Sequence, residues 1–261
     1  MKQILTIPLY AQEMIDEYAN LRLGGKKVTC PYFMNYKKER AGLRALIGKG
    51  DPGEIEKEVM VWAKLRDFDL ERASPAKIRE FMTDSHIGVD CSGFVVHVLN
   101  FWLRSEGKKR LDYYLTYKDN RIIMRIRRTI RTVENIGANT LTSEENCTKI
   151  TRLNEVQPGD FIRSKAKVKN SHHIMLITKV VKNDGKVAEI EFTHSRKSDD
   201  EGSGIRRETI KVLDPKLPLE KQDWPKDRNA ASMLDGYVVD IKDNGIRRLK
   251  GVKLDYLTEE Q

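Results

Sequence analysis

Val89-Asp90-Cys91-Ser92-Gly93-Phe94 is the stretch of this 261-residue chain from which the fold prediction starts. Asp90 is a residue type that caps helix N-termini, and apolar residues recur at helical spacing after Cys91. A thiol in the first turn of a helix lies near the positive end of the helix dipole, which lowers the pKa of the thiol. Cys91 is therefore a candidate nucleophile, and a buried, inert cysteine is the alternative.

A cysteine nucleophile needs a base. The chain offers five histidines: His86, His97, His172, His173 and His194. If Asp184-Gly185 forms a two-residue hairpin turn, His173 and His194 become diagonal neighbours on one face of a sheet, and His172 points to the other face. An imidazole on the second strand could then orient the first one. Two ordinary sheet histidines are the alternative, because a slip of one residue would separate the two side chains.

Helical patterns fill the first part of the chain, and short β-branched segments fill the last part. Asp51-Pro52 and Ser74-Pro75 each combine a capping residue with proline and predict helix starts. Helices are predicted over residues of about 9–22, 37–47, 52–66, 74–82 and 91–102. Strands are predicted at Asp160–Ser164, His172–Val181, Val187–Ser195, Ile205–Val212 and Tyr237–Ile241. This order predicts an α+β fold, with helices packed on an antiparallel sheet of about five strands.

Four motifs in this order resemble the NlpC-type family of papain-like cysteine peptidases and amidases. They are Asp90-Cys91-Ser92-Gly93-Phe94-Val95, Val156-Gln157-Pro158-Gly159-Asp160-Phe161, His173-Ile174-Met175-Leu176-Ile177 and Thr193-His194-Ser195. The resemblance implies a papain-like fold with Cys91 as nucleophile, His173 as base and His194 as the residue that orients His173. It implies hydrolysis of an amide without a metal or organic cofactor.

The resemblance extends upstream to Pro31-Tyr32, which implies that Tyr32 lies near the thiol. Tyr32, Asp90 and Ser92 form the predicted substrate-binding set. The chain is then a single domain over residues 1–261, with helical insertions at about 36–84 and 104–150. Two departures concern the cleft: the Gly-Gly that follows Pro-Tyr in the family is missing, and Met175 stands where a small residue is common.

The implied substrates are peptides or other amides, typically γ-glutamyl-type bonds in cell-wall peptides, and acyl transfer is the related alternative. The residues do not identify the bond. A zinc site formed by Cys91, His173 and His194 is a further possibility for the same side chains. No acidic residue stands at a spacing that supports this zinc site, so no metal is expected.

Composition limits the class of protein. The chain is 39% hydrophobic and 33% charged, which is typical of a soluble globular domain, and three cysteines without paired spacing favour a reducing compartment. No signal peptide and no apolar stretch of membrane-spanning length are recognisable, so a cytoplasmic location is expected.

The formal net charge of +9 has a local counterpart in the second insertion. Arg121, Arg125, Arg128 and Arg131 accompany apolar residues at helical spacing, which is most simply the solvated face of a core helix. The alternative function is a non-catalytic binding module that holds an anionic partner such as nucleic acid through this segment. No aromatic residues alternate with these arginines, which makes nucleic acid the weaker choice.

Overall fold

A computed structural model describes residues 1–35, 44–117, 131–165, 172–197, 203–226 and 233–261. It confirms the α+β class, because helices pack on an antiparallel sheet. The predicted number of strands was too small: the main sheet has eight strands, and a separate two-stranded ribbon accompanies it. Within the described ranges, no helix combines the length and the apolar character that a membrane span requires.

Six α-helices are described, and capping residues set the starts of the longest ones. They are α1 (Leu9–Ala19), α2 (Pro52–Leu65), α3 (Pro75–Asp84), α4 (Cys91–Ser105), α5 (Ala138–Leu141) and α6 (Met233–Tyr237). Asp51 and Glu54 form a reciprocal capping box on α2, and Ser74 accepts a hydrogen bond from the amide of Lys77 on α3. Both predicted helix starts are therefore confirmed.

Ten strands are described, and eight of them form the main sheet. They are β1 (Lys2–Thr6), β2 (Leu21–Leu23), β3 (Lys26–Val28), β4 (Cys147–Ile150), β5 (Phe161–Lys165), β6 (His172–Asn183), β7 (Lys186–Arg196), β8 (Gly204–Lys211), β9 (Gly245–Leu249) and β10 (Leu257–Glu260). Among the described strands, β2 and β3 pair with each other as a separate ribbon. The main sheet runs β10-β1-β6-β5-β9-β4, and β7 and then β8 extend it from the other edge of β6.

The long strand β6 organises the sheet. One of its edges pairs first with β5 and then with β1, and its other edge pairs with β7. Asn183 faces Lys186 across the turn, as the sequence predicts, and Leu176 faces Thr193 in the same register. Two bulges lie in between, one at Thr178 on β6 and one at Ala188 on β7. Because each strand carries one extra residue, the two shifts cancel before the histidines.

Two hydrophobic cores lie on the two faces of this sheet. One contains α4 together with Ile174 and Leu176 of β6, and the other contains Met175 and Ile177 of the same strand. Helix α4 is buried along most of its length and packs against α1, β6 and β7. The first turn of α4 is thereby fixed beside the beginning of β6.

Several predicted boundaries differ from the structure. Residues Tyr237–Ile241 were predicted as a strand, but they close α6 and form a 3₁₀ turn at Val238–Asp240. The carbonyl of Tyr237 accepts a hydrogen bond from the side chain of Asn244, and the Asp240 carboxylate accepts one from the Asp243 amide. These bonds stabilise a turn that the β-branched pattern did not reveal.

The two predicted insertions are only partly helical. In the first, α2 and α3 contribute Ile55, Val59, Ile78 and Met82 to the core that contains α4. The second insertion includes α5, and its final residues, Cys147–Ile150, are strand β4 of the main sheet. The predicted helix from about 37 lies mainly outside the described residues, and residues 44–47 form a 3₁₀ turn.

Candidate active site

Asp90 shapes the first turn of α4 around Cys91. The Asp90 Oδ1 atom accepts hydrogen bonds from the amide of Gly93 at 2.6 Å and from the Ser92 hydroxyl at 3.0 Å. It also lies 3.0 Å from the Nζ atom of Lys49. This capping places the Cys91 side chain at the positive end of a 15-residue helix.

Lys49 is a member of the site that the sequence reasoning missed. Its ammonium group is buried between the Asp90 carboxylate and the Ser92 hydroxyl, which it contacts at 2.6 Å. The carbonyl of Gly48, the preceding residue, accepts the amide of Asp90. A side chain at Gly93 would lie 2.6 Å from that carbonyl oxygen, so the close approach requires glycine. The Gly48-Lys49 segment therefore anchors the start of α4.

The Cys91 sulfur contacts the backbone of β6. Its thiol donates to the carbonyl oxygen of His172 at 3.9 Å, and the amide of Ile174 lies against the sulfur. The thiol therefore touches the backbone on both sides of His173. Among the described residues, no hydrogen bond joins this sulfur to an imidazole nitrogen.

The pKa of Cys91 differs from the sequence-based expectation. Burial and the charge of Asp90 raise the pKa of this thiol to about 12, and the contacts with Ile174, Lys49 and Ser92 lower it only in part. The expected lowering by the helix dipole was wrong, because the thiol is only 5% exposed and desolvation dominates. At neutral pH the resting thiol is protonated.

His173 and His194 come together as the hairpin register predicts. The Nε2 atom of His173 lies 2.7 Å from the Nδ1 atom of His194, and their rings meet edge to face. Burial lowers the pKa of each imidazole, and for His173 the neighbouring His194 and Arg196 lower it further. Both imidazoles are neutral at pH 7, and one proton lies between them.

His194 has a third partner that the sequence reasoning missed. The Oε2 atom of Glu208, on β8, lies 3.3 Å from the Nε2 atom of His194. The register of β7 and β8 pairs His194 with Arg206, which places Glu208 on the same face two residues away. His194 therefore lies between the His173 imidazole at its Nδ1 atom and the Glu208 carboxylate at its Nε2 atom.

His172 belongs to a different cluster. Its Nε2 atom lies 3.5 Å from the Asp243 carboxylate, which also contacts Arg163 at 2.8 Å. Burial and the charge of Arg163 lower the pKa of His172, although Asp243 raises it in part. Because neighbouring residues of a strand point to opposite faces, His172 and His173 serve different surroundings.

The predicted substrate-binding residues have structural contacts. Tyr32 forms a parallel bridge with Val89, two residues before Cys91, and its hydroxyl lies 3.6 Å from the sulfur of Met34. The Asp90 and Ser92 side chains are buried against Lys49. Contact of any of the three with a substrate stays a prediction.

The remaining features concern metal binding, a pocket and the predicted basic segment. Over the described ranges, no group of three His, Cys, Asp or Glu side chains is arranged to hold a metal ion. A pocket of about 360 Å³ opens between β3, α3 and β8, and its lining includes Lys27, Arg79 and Arg206. The predicted basic segment lies outside the described residues, with the exception of Arg131.

Comparison with known proteins adds no relative. No family model matches the chain, and neither a curated protein nor a solved structure gives a significant match.

Proposed function

We propose that this protein is a cysteine hydrolase of papain-like fold that cleaves an amide bond through Cys91, His173 and His194. The observation that carries the proposal is the 2.7 Å hydrogen bond between the two imidazoles. In addition, the Cys91 thiol contacts the backbone of β6 on both sides of His173. A nucleophile, a base and an orienting group are the three parts that such chemistry needs.

The raised pKa of Cys91 determines how the reaction begins. The resting site holds a neutral thiol and neutral imidazoles, so the proton leaves the sulfur as the sulfur attacks. Catalytic hydrogen bonds are often long before substrate binds, and the proposal requires the Cys91 thiol and the His173 imidazole to approach each other in the substrate complex.

The proposed reaction has two steps. The sulfur forms a bond to the amide carbonyl carbon, and His173 takes the thiol proton. The carbon–nitrogen bond breaks, and His173 returns the proton to the leaving amine. In a second step His173 takes a proton from water, the water oxygen bonds to the acyl carbon, the carbon–sulfur bond breaks, and His173 returns the proton to the Cys91 sulfur. If an amine or alcohol replaced this water, the same site would be an acyl transferase.

A second candidate is a non-catalytic binding module of the same fold. The protonated, buried state of Cys91 and the lack of an imidazole on its sulfur in the described structure favour this alternative. The module would hold an anionic partner, such as nucleic acid, through the basic segment around Arg131. Turnover that depends on Cys91 distinguishes the two candidates.

The test is hydrolysis of a panel of muropeptides with γ-glutamyl bonds and of other amides. We expect Cys91→Ala to abolish release of the amine, and Cys147→Ala to retain it, because Cys147 is also buried with a thiol pKa of about 12 but lies on β4. His173→Gln should abolish turnover and His172→Gln should preserve most of it. Turnover by Cys91→Ala would refute the proposal, and a wild type inactive on the whole panel would favour the binding module.

A further inference from the structure

Glu208 is a partly buried acid next to the histidine pair, and its Oε2 atom is buried. The strand pair β7–β8 holds its carboxylate against His194, and only 13% of its side chain is exposed. The two carboxylate oxygens have separate neighbours. Oε2 lies 3.3 Å from the His194 Nε2 atom, whereas Oε1 lies 3.6 Å from Arg196 and 3.7 Å from Arg206.

The contact between Glu208 and His194 joins two buried atoms. In the part of the chain that the structure describes, the His194 Nε2 atom and the Glu208 Oε2 atom are both buried without a hydrogen bond of good geometry, and they lie 3.3 Å from each other. At 3.3 Å, this contact is longer than the 2.7 Å bond between the two histidines. A buried N–H and a buried carboxylate oxygen left without another partner each favour this contact.

The protonation state of Glu208 gives the contact a direction. Burial raises the pKa of this carboxyl group, but His194, Arg196 and Arg206 outweigh burial and hold the pKa below its ordinary value. Glu208 is therefore a carboxylate at neutral pH and can only accept a hydrogen bond. A carboxylate oxygen 3.3 Å from Nε2 favours the neutral His194 tautomer that carries its proton on Nε2.

We infer that Glu208 is a positioning residue that fixes the tautomers of both histidines and leaves the Nδ1 atom of His173 free as the base. With its proton on Nε2, His194 offers a lone pair at Nδ1. His173 must donate to that lone pair from its own Nε2, 2.7 Å away. Only Nδ1 of His173 is then free to accept a proton.

This inference rests on the proposed function, and it adds a second effect. When His173 takes the thiol proton, a positive charge forms on the histidine pair. The Glu208 carboxylate, which contacts His194, stabilises this charge. Arg196 and Arg206 limit that stabilisation, because they share the other oxygen of Glu208.

The test is the tautomeric state of the two rings, read from two-bond ¹H–¹⁵N correlations of histidine-labelled full-length protein. His173→Gln and His194→Gln assign the signals. In the wild type at pH 7, we expect both rings to be protonated at Nε2. In Glu208→Leu, we expect that single tautomer to be lost and a population with the His194 proton on Nδ1 to appear.

Two further variants keep the test decisive. Glu208→Gln retains an oxygen acceptor and should keep the tautomer, but the loss of the negative charge should lower the pKa of His194. Glu191→Gln is the matched control, because Glu191 has the same 13% side-chain exposure and pairs with Lys179 instead of an imidazole. Glu191→Gln should change neither the tautomer of His194 nor the pKa of His194.

The outcomes separate this inference from the proposed function. A wild-type His194 that carries its proton on Nδ1 would overturn the role of Glu208, as would an unchanged His194 pKa in Glu208→Gln. Neither result depends on turnover. Conversely, the expected tautomers without any Cys91-dependent hydrolysis would refute the hydrolase and leave the role of Glu208 in place.

Discussion

The Nζ atom of Lys49 lies 3.0 Å from Oδ1 of Asp90, and both side chains are about nine-tenths buried. In the described structure, Asp90 also accepts hydrogen bonds from the Gly93 amide and the Ser92 hydroxyl, so it has three donors, whereas the Lys49 ammonium group has two acceptors. The start of α4 therefore depends on a buried charge pair in which Asp90 has more hydrogen-bond partners than Lys49.

Removal of Asp90 should cost more than removal of Lys49. Asp90→Ala leaves a buried ammonium group with only the Ser92 hydroxyl, and we expect a loss of about 3–5 kcal/mol in the free energy of unfolding. Lys49→Met leaves a carboxylate that still accepts two hydrogen bonds, and a loss of about 1–3 kcal/mol is expected. Urea denaturation of the two variants measures the order, and the reverse order would contradict this account.

Gly93→Ala should destabilise the protein by about 1–3 kcal/mol, because the new methyl group would lie 2.6 Å from the backbone oxygen of Gly48. Gly53→Ala is the control in another helix. Its methyl group would meet only the Asp51 carboxylate, at 3.5 Å, and should be neutral or stabilising by up to about 1 kcal/mol. Equal thermal stability of the two variants would contradict this prediction and would show that the backbone at Gly48 moves to accommodate the methyl group.

Cys91 should react slowly with iodoacetamide at neutral pH. With a thiol pKa of about 12, its thiolate fraction at pH 7.5 is roughly a thousandfold below that of an ordinary cysteine. The rate should rise with pH up to at least about pH 10, as read by mass spectrometry of the Cys91 peptide. A plateau that begins near neutral pH would indicate a thiolate–imidazolium pair and contradict the neutral resting site.

Arg248→Met should give the protein a new dependence of stability on pH. Arg248 contacts both oxygens of the fully buried Asp160, at 2.7 and 2.8 Å, and lowers a carboxyl pKa that burial raises. Without the guanidinium the pKa rises further, so the charged carboxylate is costly above that pKa and protonation relieves the cost as the pH falls.

The loss of unfolding free energy in Arg248→Met should therefore be about 3–5 kcal/mol at pH 8 and smaller at pH 5. Guanidinium denaturation at the two pH values measures the difference. In an Asp160→Asn background the same replacement should lose its pH dependence, and persistence of that dependence would assign it to another group.

The sequence allowed the histidine pair to be predicted because a turn sets a register and a register sets a face. Asp184-Gly185 fixed the first pair, and Leu176 opposite Thr193 keeps the same register. The intervening bulges at Thr178 and Ala188 were not predictable from local pattern, and the prediction held because they cancel.

The sequence did not predict the site residues that are distant in the chain from the residues they contact. Lys49 lies 41 residues before Asp90 in the chain, and only the folded backbone brings the two together. Glu208 lies on β8, and no turn signal in the sequence sets the register of β8 against β7. The pKa of Cys91 was predicted with the wrong sign, because a helix dipole is visible in the sequence and the degree of burial is not.

The two cancelling bulges also limit how a lineage could change the length of this hairpin. A single deletion in β6 or a single insertion in β7, between the bulges and the histidines, would turn His173 away from His194 and present His172 in its place. Matched changes, one in each strand, would keep the pair, and so would changes confined to Asp184-Gly185. Alignments of divergent relatives that place single gaps here would therefore exchange the two adjacent histidines.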